Sequence, residues 1–343
     1  MADIALRSPQ FKYIEIPATG VLSTVCTIKI NQATTPIYTL TKNVEPSTTA
    51  YFDISELVRD YLEIEYKSNF VTQSIQIETE LKNYSLVNGG GTQVGGVITF
   101  LDKGFEAYGI YEQGSNPTQL ESWRAGQPAS LLSPDTSVSP PRTTILVPQN
   151  QTGVIPYIAQ NGTPASAFTS PNSVSLTIGT TPPIVVYINR IDCTKYGKGR
   201  KIIFINKYGA QQELWFFLKN SESISRKNEG YKSNTLFSIA GANPPTYDIQ
   251  DAPKKILNTQ ANKTHVLSSG YYPEQANDFF EQLLLSEYVW LEVERDKFTP
   301  IQNDVIPVKV KNSSINFKTS LNDKLIEYTM EFEDAFDYIN NIR

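Results

Sequence analysis

The last 22 residues of the chain, NDKLIEYTMEFEDAFDYINNIR (residues 322–343), alternate in polarity as the residues of one long β-strand do. Ile326, Tyr328, Met330 and Phe332 would share one face, and the residues between them are polar or acidic. A chain terminus frays unless something holds it, and an apolar strand needs a neighbour along its edge. We therefore predict that this segment pairs within a sheet of its own chain or with a neighbouring subunit.

The segments just before this one supply candidate partner strands. VIPVKVK (residues 305–311) and INFKT (residues 315–319) are separated by the turn sequence NSS, and a second turn, LND, precedes the terminal strand. On the polar face of this predicted meander, three lysines oppose three glutamates: Lys309, Lys311 and Lys318 against Glu327, Glu331 and Glu333. The outer edge of the last strand needs cover, so we predict a subunit interface at this end of the chain, formed by these residues: Tyr338, Ile339, Ile342 and Arg343.

The rest of the chain indicates a mainly β fold, with β-sandwich or barrel-like domains and a few short helices. Only 19% of its residues are charged, and alternating segments at residues 21–30, 36–42, 70–81 and 94–102 are separated by Asn, Pro, Gly and Ser. This spacing is typical of short antiparallel strands.

Two stretches have helical rather than alternating spacing. Apolar residues predict a short helix near residues 53–63, where Asp53 and Glu56 would form a capping box. A second apolar stripe, which includes Phe279, predicts a helix near residues 273–286.

Composition divides the chain into three parts. We predict an N-terminal β domain over residues 1–115, a Pro-rich, low-charge insertion over residues 116–185 and a C-terminal β-rich domain over residues 186–343. Ten of the 21 prolines but only two charged residues fall within residues 125–189. Such a segment is expected to be a loop-rich insertion on a surface, with short β-like runs at residues 143–148, 153–159 and 173–179, or an arm that orders against a neighbouring subunit.

The beginning of the C-terminal part contains three apolar runs. PIVVYINRIDC (residues 183–193) and the two halves of GRKIIFINKYGAQQELWFFLKN (residues 199–220) are separated by turns that contain Lys-Tyr-Gly. They predict a three-stranded meander. A polar loop is expected between this meander and the second helix.

Composition also argues against several classes of protein. A net charge of −5 gives no overall basic field, so direct binding of nucleic acid is not expected. No window approaches about 18 uninterrupted apolar residues, and no signal peptide is evident, so membrane insertion is not expected either. Synthesis in a reducing cytoplasm fits this pattern.

The cysteines and tryptophans indicate packing rather than chemistry. Cys26 and Cys193 lie far apart and lack the spacing of a disulfide framework or a metal site. Cys26 is expected to be a core thiol on the strand face that also carries Leu22, Ile28 and Ile30. Trp215 and Trp290 stand inside apolar strands and are expected in a core or interface.

No motif in the sequence indicates a particular chemical reaction. His265 is the only histidine and is expected in a loop, and the glycine cluster at residues 88–96 lacks the Lys-Ser/Thr of a phosphate loop. The basic run at residues 195–201 is typical of a solvated hairpin tip, and the acidic face that ends in Glu333 and Asp334 is typical of a face paired with lysines. We therefore expect no enzymatic activity, no catalytic residues, no bound metal and no cofactor.

Four stretches carry a family resemblance: residues 5–15 (ALRSPQFKYIE), 52–62 (FDISELVRDYL), 206–217 (NKYGAQQELWFF) and 316–336 (NFKTSLNDKLIEYTMEFEDAF). They resemble virion structural proteins of tailed bacteriophages, particularly phages of Bacteroidota-type hosts. The resemblance implies an all-β subunit of a homo-oligomeric tail ring, similar to distal tail, baseplate or tail hub proteins. It also implies contacts with other tail or neck proteins, a location in the virion tail and synthesis in the cytoplasm of the bacterial host.

Three functions remain open at this point. The first is a non-enzymatic, ring-forming structural protein of a phage tail, which rings in electron micrographs would distinguish. The second is a carbohydrate- or receptor-binding module that recognises a host surface glycan, which the abundant Tyr and Trp residues favour. The third is a polysaccharide-acting enzyme with a carboxylate pair, whose turnover would depend on that pair.

Overall fold

A computed structural model describes residues 2–85, 91–107, 143–158, 164–178, 184–193, 199–234, 236–237, 246–247, 250, 252–294, 303–316 and 325–336. Strands dominate these residues and helices are few and short, so the predicted mainly β class is confirmed. Several sheets are curled, and one forms a half-barrel.

The described strands run from the first residues of the chain to the last. They are β1 (Ala2–Ala5), β2 (Phe11–Glu15), β3 (Ser23–Ile30), β4 (Tyr38–Asn43), β5 (Thr49–Asp53), β6 (Ser74–Tyr84), β7 (Gln93–Phe105), β8 (Thr143–Pro148), β9 (Val154–Ile158), β10 (Pro164–Phe168), β11 (Ser175–Ile178), β12 (Ile184–Ile191), β13 (Arg200–Ile205), β14 (Gln211–Phe216), β15 (Asn220–Lys232), β16 (Leu236–Phe237), β17 (Thr246–Tyr247), β18 (Lys254–Ser268), β19 (Tyr272–Pro273), β20 (Val289–Glu294), β21 (Asn303–Val310), β22 (Leu325–Ile326) and β23 (Thr329–Asp334). Helices α1 (Ser55–Arg59) and α2 (Asn277–Leu285) complete the described elements, together with a 3₁₀ turn at Glu274–Ala276.

The first part of the chain forms a five-stranded sheet in the order β1-β7-β6-β3-β4. Strands β3, β4, β6 and β7 occupy the predicted alternating segments, and side chains of all four pack into one core, whereas β1 lies outside those segments. Cys26, Ile28 and Ile30 are buried there, whereas Leu22, expected on the same face, is 48% exposed. Burial raises the pKa of the Cys26 thiol to about 12, so the expected core thiol is confirmed.

Helix α1 is shorter than predicted and has no capping box. Ile54 is its N-cap residue, and no side chain caps the first turn. Asp53 accepts hydrogen bonds from the backbone N–H groups of Gln10 and Ser55, each at 3.0 Å, so its carboxylate anchors the chain before the helix. Val58, fully buried, packs the helix against the core of the first sheet.

The described part of the proline-rich segment is folded into short strands. β9 pairs with β10, and β12 lies between β11 and β8. Arg190 holds this region together, because its guanidinium donates hydrogen bonds to the backbone carbonyls of Pro148, Gln151, Ser170 and Ser173. The β-like runs expected at residues 143–148, 153–159 and 173–179 form strands β8, β9 and β11, and Pro148 and Pro164 fall at strand ends.

Strand β12 does not join β13, so the predicted three-stranded meander is wrong in one strand. β12 pairs in parallel with β8 and antiparallel with β11. The β13-β14 hairpin is as predicted, and Gly209 in its turn has the positive φ of 77° that favours glycine.

The C-terminal part is a seven-stranded sheet in the order β14-β13-β20-β21-β23-β18-β15. The two outermost strands, β14 and β15, are separated in sequence only by residues 217–219, so the sheet must curl back on itself. The backbone N–H groups of Phe217 and Leu218 donate to the carbonyls of Ser269 and Ser268, each at 3.3 Å, where the two ends meet. The result is a half-barrel with a concave apolar interior.

Helix α2 contributes to the core of this half-barrel. Its Phe279, Phe280 and Leu283 are buried against side chains of the curled sheet, including Phe216 and Phe332. Phe216 contacts Phe280 and Phe332 edge to face, with ring centroids 6.3 and 5.8 Å apart. The helix is shorter than the predicted 273–286, because the 3₁₀ turn occupies residues 274–276.

The terminal segment lies inside this sheet and not at its edge. β23 pairs with β21 on one side and with β18 on the other, so the edge that we predicted to be free is covered by residues of the same chain. Ile326, Tyr328, Met330 and Phe332 are all buried, as the alternation predicts. The single long strand is nevertheless interrupted at residues 327–328, because Leu325–Ile326 pairs separately with β19.

Candidate assembly interface

A long two-stranded ribbon extends from the half-barrel. β15 and β18 pair along their whole length, but β23 accompanies β18 only between Thr264 and Ser268. Among the described residues, no third strand joins the ribbon beyond that point. We call residues 224–232 and 254–262 the arm. At about 3.3 Å per residue the arm is roughly 30 Å long.

The arm is exposed along nearly its whole length. All of its residues except Lys255 and Ala261 are exposed. An isolated two-stranded ribbon is marginally stable in water, and exposed strand edges are templates for pairing with another chain. Four apolar side chains of the arm also face solvent, with 58, 48, 56 and 72% of their surface accessible: Ile224, Tyr231, Ile256 and Leu257.

Pairing continues past the end of the arm. The backbone N–H of Ser233 donates to the carbonyl of Pro253 at 2.8 Å, and β16 pairs with β17 further along. A register shift between Glu229 and Gly230 marks a bulge, a feature that bends and twists a ribbon locally. The expectation of a polar loop in this region is therefore wrong.

The charge of the arm is opposite to that of the rest of the chain. Its strands hold one acidic residue, Glu229, and five basic residues, which gives them a net charge of +4. Since the whole chain carries −5, the remainder carries −9. The basic residues are Arg226, Lys227, Lys232, Lys254 and Lys255.

A cavity opens beside the loop that follows α1 and the start of β6, close in sequence to three exposed carboxylates. The cavity has a volume of about 450 Å³, and Glu63 is the one acidic residue among its lining residues, which also include Tyr61, Leu62 and Ile75. Glu56, Asp60 and Glu63 are exposed, and no salt bridge joins any of the three to another described residue. The nearby Arg59 turns instead to Glu106 and Glu287. We call residues 56–63, with this cavity, the acidic groove.

The predicted interface residues at the end of the chain, Tyr338, Ile339, Ile342 and Arg343, lie outside the described residues, and their role stays a prediction. The last described residue, Phe336, is 49% exposed. Lys311 and Glu333, two members of the predicted lysine and glutamate pairs, form a salt bridge at 3.3 Å.

His265 is not in a loop, as the sequence suggested, but is buried in β18 with 2% of its side chain exposed. Its Nε2 lies 2.9 Å from Asp334 Oδ1, and its Nδ1 lies 3.5 Å from Glu222 Oε1. Lys263 holds the pKa of Glu222 below its ordinary value, although burial of Glu222 acts in the opposite direction. These groups form a polar layer at one end of the apolar core. Such a His-carboxylate pair supports acid-base chemistry only where a substrate reaches it, and His265 is almost fully covered.

The described end of the basic run is also engaged in structure. Lys201 lies 3.3 Å from Glu213 and 2.5 Å from Glu292, and Arg200 lies 3.7 Å from Glu222. Burial raises the pKa of Glu213 to about 7 against the opposing effect of Lys201. The expectation of a solvated hairpin tip is therefore wrong for Arg200 and Lys201, whereas residues 195–198 lie outside the described residues.

The remaining candidate residues give no assembled site. Trp215 and Trp290 are 5% and 7% exposed and so are buried as predicted, and residues 91–96 of the glycine cluster enter β7 of a hairpin. Within the described ranges, no three His, Cys, Asp or Glu side chains converge as metal ligands would. None of the described helices has the length and apolar character needed to span a bilayer.

Comparisons with known proteins returned no match to a protein-family model, to a curated protein or to a solved structure.

Proposed function

We propose that this protein is a non-enzymatic structural subunit that assembles into a ring of a bacteriophage tail, of the hub, adaptor or distal tail type. The observation that carries the assembly part of this proposal is the arm, a ribbon roughly 30 Å long with both edges and four apolar side chains in water. A free subunit gains little from such an element, whereas an assembling subunit uses it to contact a neighbour. The phage tail location rests on the sequence resemblance.

The arm favours a contact in which two identical subunits use different surfaces. It projects from one end of the half-barrel, and in this proposal a neighbour receives it on its body, so the two sides of the contact differ. Such a heterologous contact generates a ring when the rotation between subunits closes. The well-packed core around α2 provides a rigid base for this element.

The test compares the wild-type chain with a variant that has a shortened arm. Ser225 and Asn262 are register partners, so residues 226–261 can be replaced by Asn-Gly, a two-residue turn suited to an antiparallel hairpin. We expect the wild type to form rings in electron micrographs and a discrete oligomer in sedimentation experiments. The shortened variant should retain the circular dichroism spectrum of a β protein but sediment as a monomer.

Two results would contradict the proposal. If the wild type stays monomeric at every concentration tested, the proposed ring is wrong. If a folded shortened variant assembles like the wild type, the arm is not part of the interface. Turnover of a polysaccharide by the purified protein would favour an enzyme instead.

A further inference from the structure

We propose that the arm of one copy docks in the acidic groove of the next copy, and that this contact is the repeating interface of the assembly. The inference rests on the proposed function, because it requires that the chain associate with itself. It goes further by naming both surfaces and the chemistry that joins them.

The arm offers cations on an extended, exposed scaffold. Arg226 and Lys227 follow each other on β15, and Lys254 is the register partner of Lys232 across the ribbon. Because consecutive residues of a strand point to opposite faces, Arg226 and Lys227 present positive charge on both sides of the ribbon. A partner that encloses the arm therefore needs negative charge on more than one wall.

The groove offers the complementary chemistry. Glu56, Asp60 and Glu63 supply carboxylates without a described salt-bridge partner, and the cavity beside Glu63 provides a concave surface. Tyr61, 43% exposed, lines the same cavity and stacks edge to face on Tyr38 with ring centroids 5.9 Å apart. An aromatic face beside carboxylates is a favourable place for a guanidinium or ammonium group.

Charge favours a second copy over nucleic acid as the occupant. The chain outside residues 224–262 carries −7, so the body of a neighbouring copy attracts the arm and repels DNA or RNA. The two surfaces differ, so each subunit uses its arm on one side and its groove on the other. This head-to-tail arrangement is the one that the proposed ring requires.

Exposed ion pairs contribute little individually and are screened by salt. Several of them along one ribbon mainly set partner choice and the rate of association, whereas the apolar residues Ile256 and Leu257 contribute buried area. Self-association should therefore weaken as the ionic strength rises, without being abolished.

A charge-exchange experiment tests the contact. The first variant reverses the arm (Arg226→Glu, Lys227→Glu, Lys254→Glu), and the second reverses the groove (Glu56→Lys, Asp60→Lys, Glu63→Lys). Each should reduce the association constant, measured by sedimentation velocity, roughly tenfold or more. An equimolar mixture of the two variants, and a single chain with all six substitutions, should both regain association.

A matched control separates the contact from the effect of net charge. The variant Lys207→Glu, Lys219→Glu, Lys309→Glu changes the charge by the same amount at exposed residues outside the arm, and it should associate much as the wild type does. The arm variant and the control should have similar melting temperatures, which shows that the arm substitutions do not act by unfolding the chain.

The outcomes distinguish this inference from the function on which it rests. If the wild type does not associate, both the proposed ring and the docking contact are contradicted. If it associates but the arm variant matches the control, or the six-substitution chain stays dissociated, only the docking contact is overturned. Binding of a duplex oligonucleotide, measured by fluorescence anisotropy and lost on arm reversal while self-association persists, would identify nucleic acid as the occupant and overturn the inference too.

Discussion

At the scale of single residues, the buried carboxylate of Glu213 is the clearest case in which burial changes chemistry. Its Oε2 accepts a hydrogen bond at 3.1 Å from the backbone N–H of Val154, which ties β9 of the proline-rich segment to β14. Lys201 lies between Glu213 and Glu292, and these two carboxylates outweigh its burial and hold the pKa of Lys201 above its ordinary value. Ionisation of Glu213 is therefore coupled to the contact between the sheet that contains β9 and the sheet that contains β14.

We predict that Glu213→Gln removes a decline in stability between about pH 4.5 and pH 7. The folded pKa of Glu213 is raised from 4.5 to about 7, so the folded state binds more protons than the unfolded state in this window. The stabilisation is present below pH 4.5 and is lost as pH rises through about 7. Glutamine keeps an acceptor for Val154 but does not ionise.

The measurement is the free energy of unfolding of both proteins at pH 5 and pH 8. The variant should gain stability relative to the wild type as the pH rises, whereas Glu331→Gln, an exposed control, should follow the wild type. An unchanged difference between wild type and Glu213→Gln at the two pH values would contradict the titration.

The sequence pattern correctly predicts the burial of apolar side chains on the inner face of a strand. Cys26, Trp215 and Phe332 are buried as the alternation indicates, because an apolar residue on the inner face of a strand has few other places to go. His265 could not be placed in this way. Its partners Glu222 and Asp334 lie 43 and 69 residues away, so only the folded sheet brings the three groups together.

At the scale of elements, the terminal strand β23 lies in the interior of the seven-stranded sheet, between β21 and β18. Phe332 is fully buried and packs on Phe216, while Glu331 between the buried positions is exposed. Both strand edges are paired, so its removal would break the half-barrel rather than trim an end.

We predict that Phe332→Ala lowers the free energy of unfolding by about 3–5 kcal/mol, because truncation of a buried aromatic residue leaves a cavity. Glu331→Ala, one position away on the solvent face, should stay within about 0.5 kcal/mol of the parent. Denaturant unfolding in the background of the shortened arm separates this effect from assembly. A small loss for Phe332→Ala would mean that the strand is not part of the folded core.

Alternation in the sequence predicts the strands that have one apolar face, and it does not reveal strands that have none. The strands of the first sheet and β23 alternate because one face meets a core, whereas both faces of the arm meet water. Polar residues on two faces leave no period to detect, which is why the region of β15 was expected to be a loop. The pairing of β12 with β8 was equally hidden, since periodicity does not specify a strand's neighbour.

At the scale of the whole molecule, the chain combines a rigid, acidic body with a basic ribbon. The partly buried side chain of Arg7 forms an ion pair with the buried Glu106 at 2.5 Å. Arg7 also reaches Glu287, between α2 and β20, at 2.5 Å, so the first part of the chain is tied to the C-terminal part. Ala261 is the one buried residue of the arm, so the arm packs little against the described part of the body. In the proposed assembly, a partner surface supplies free energy that stabilises the arm.

The assembled particle should therefore protect the arm from proteolysis while leaving the body unchanged. Trypsin cleaves after Lys and Arg, and a marginally stable ribbon opens locally and exposes such sites at Arg226, Lys227 and Lys254. We expect these bonds to be cut early in dissociated protein and slowly in assembled protein, as followed by mass spectrometry of the peptides. Lys219 and Lys309, which are exposed on the body, provide the internal control because their cleavage should depend much less on assembly. Equal cleavage of the arm in both states would place it outside the interface, and protection of the body sites alone would move the interface to another surface.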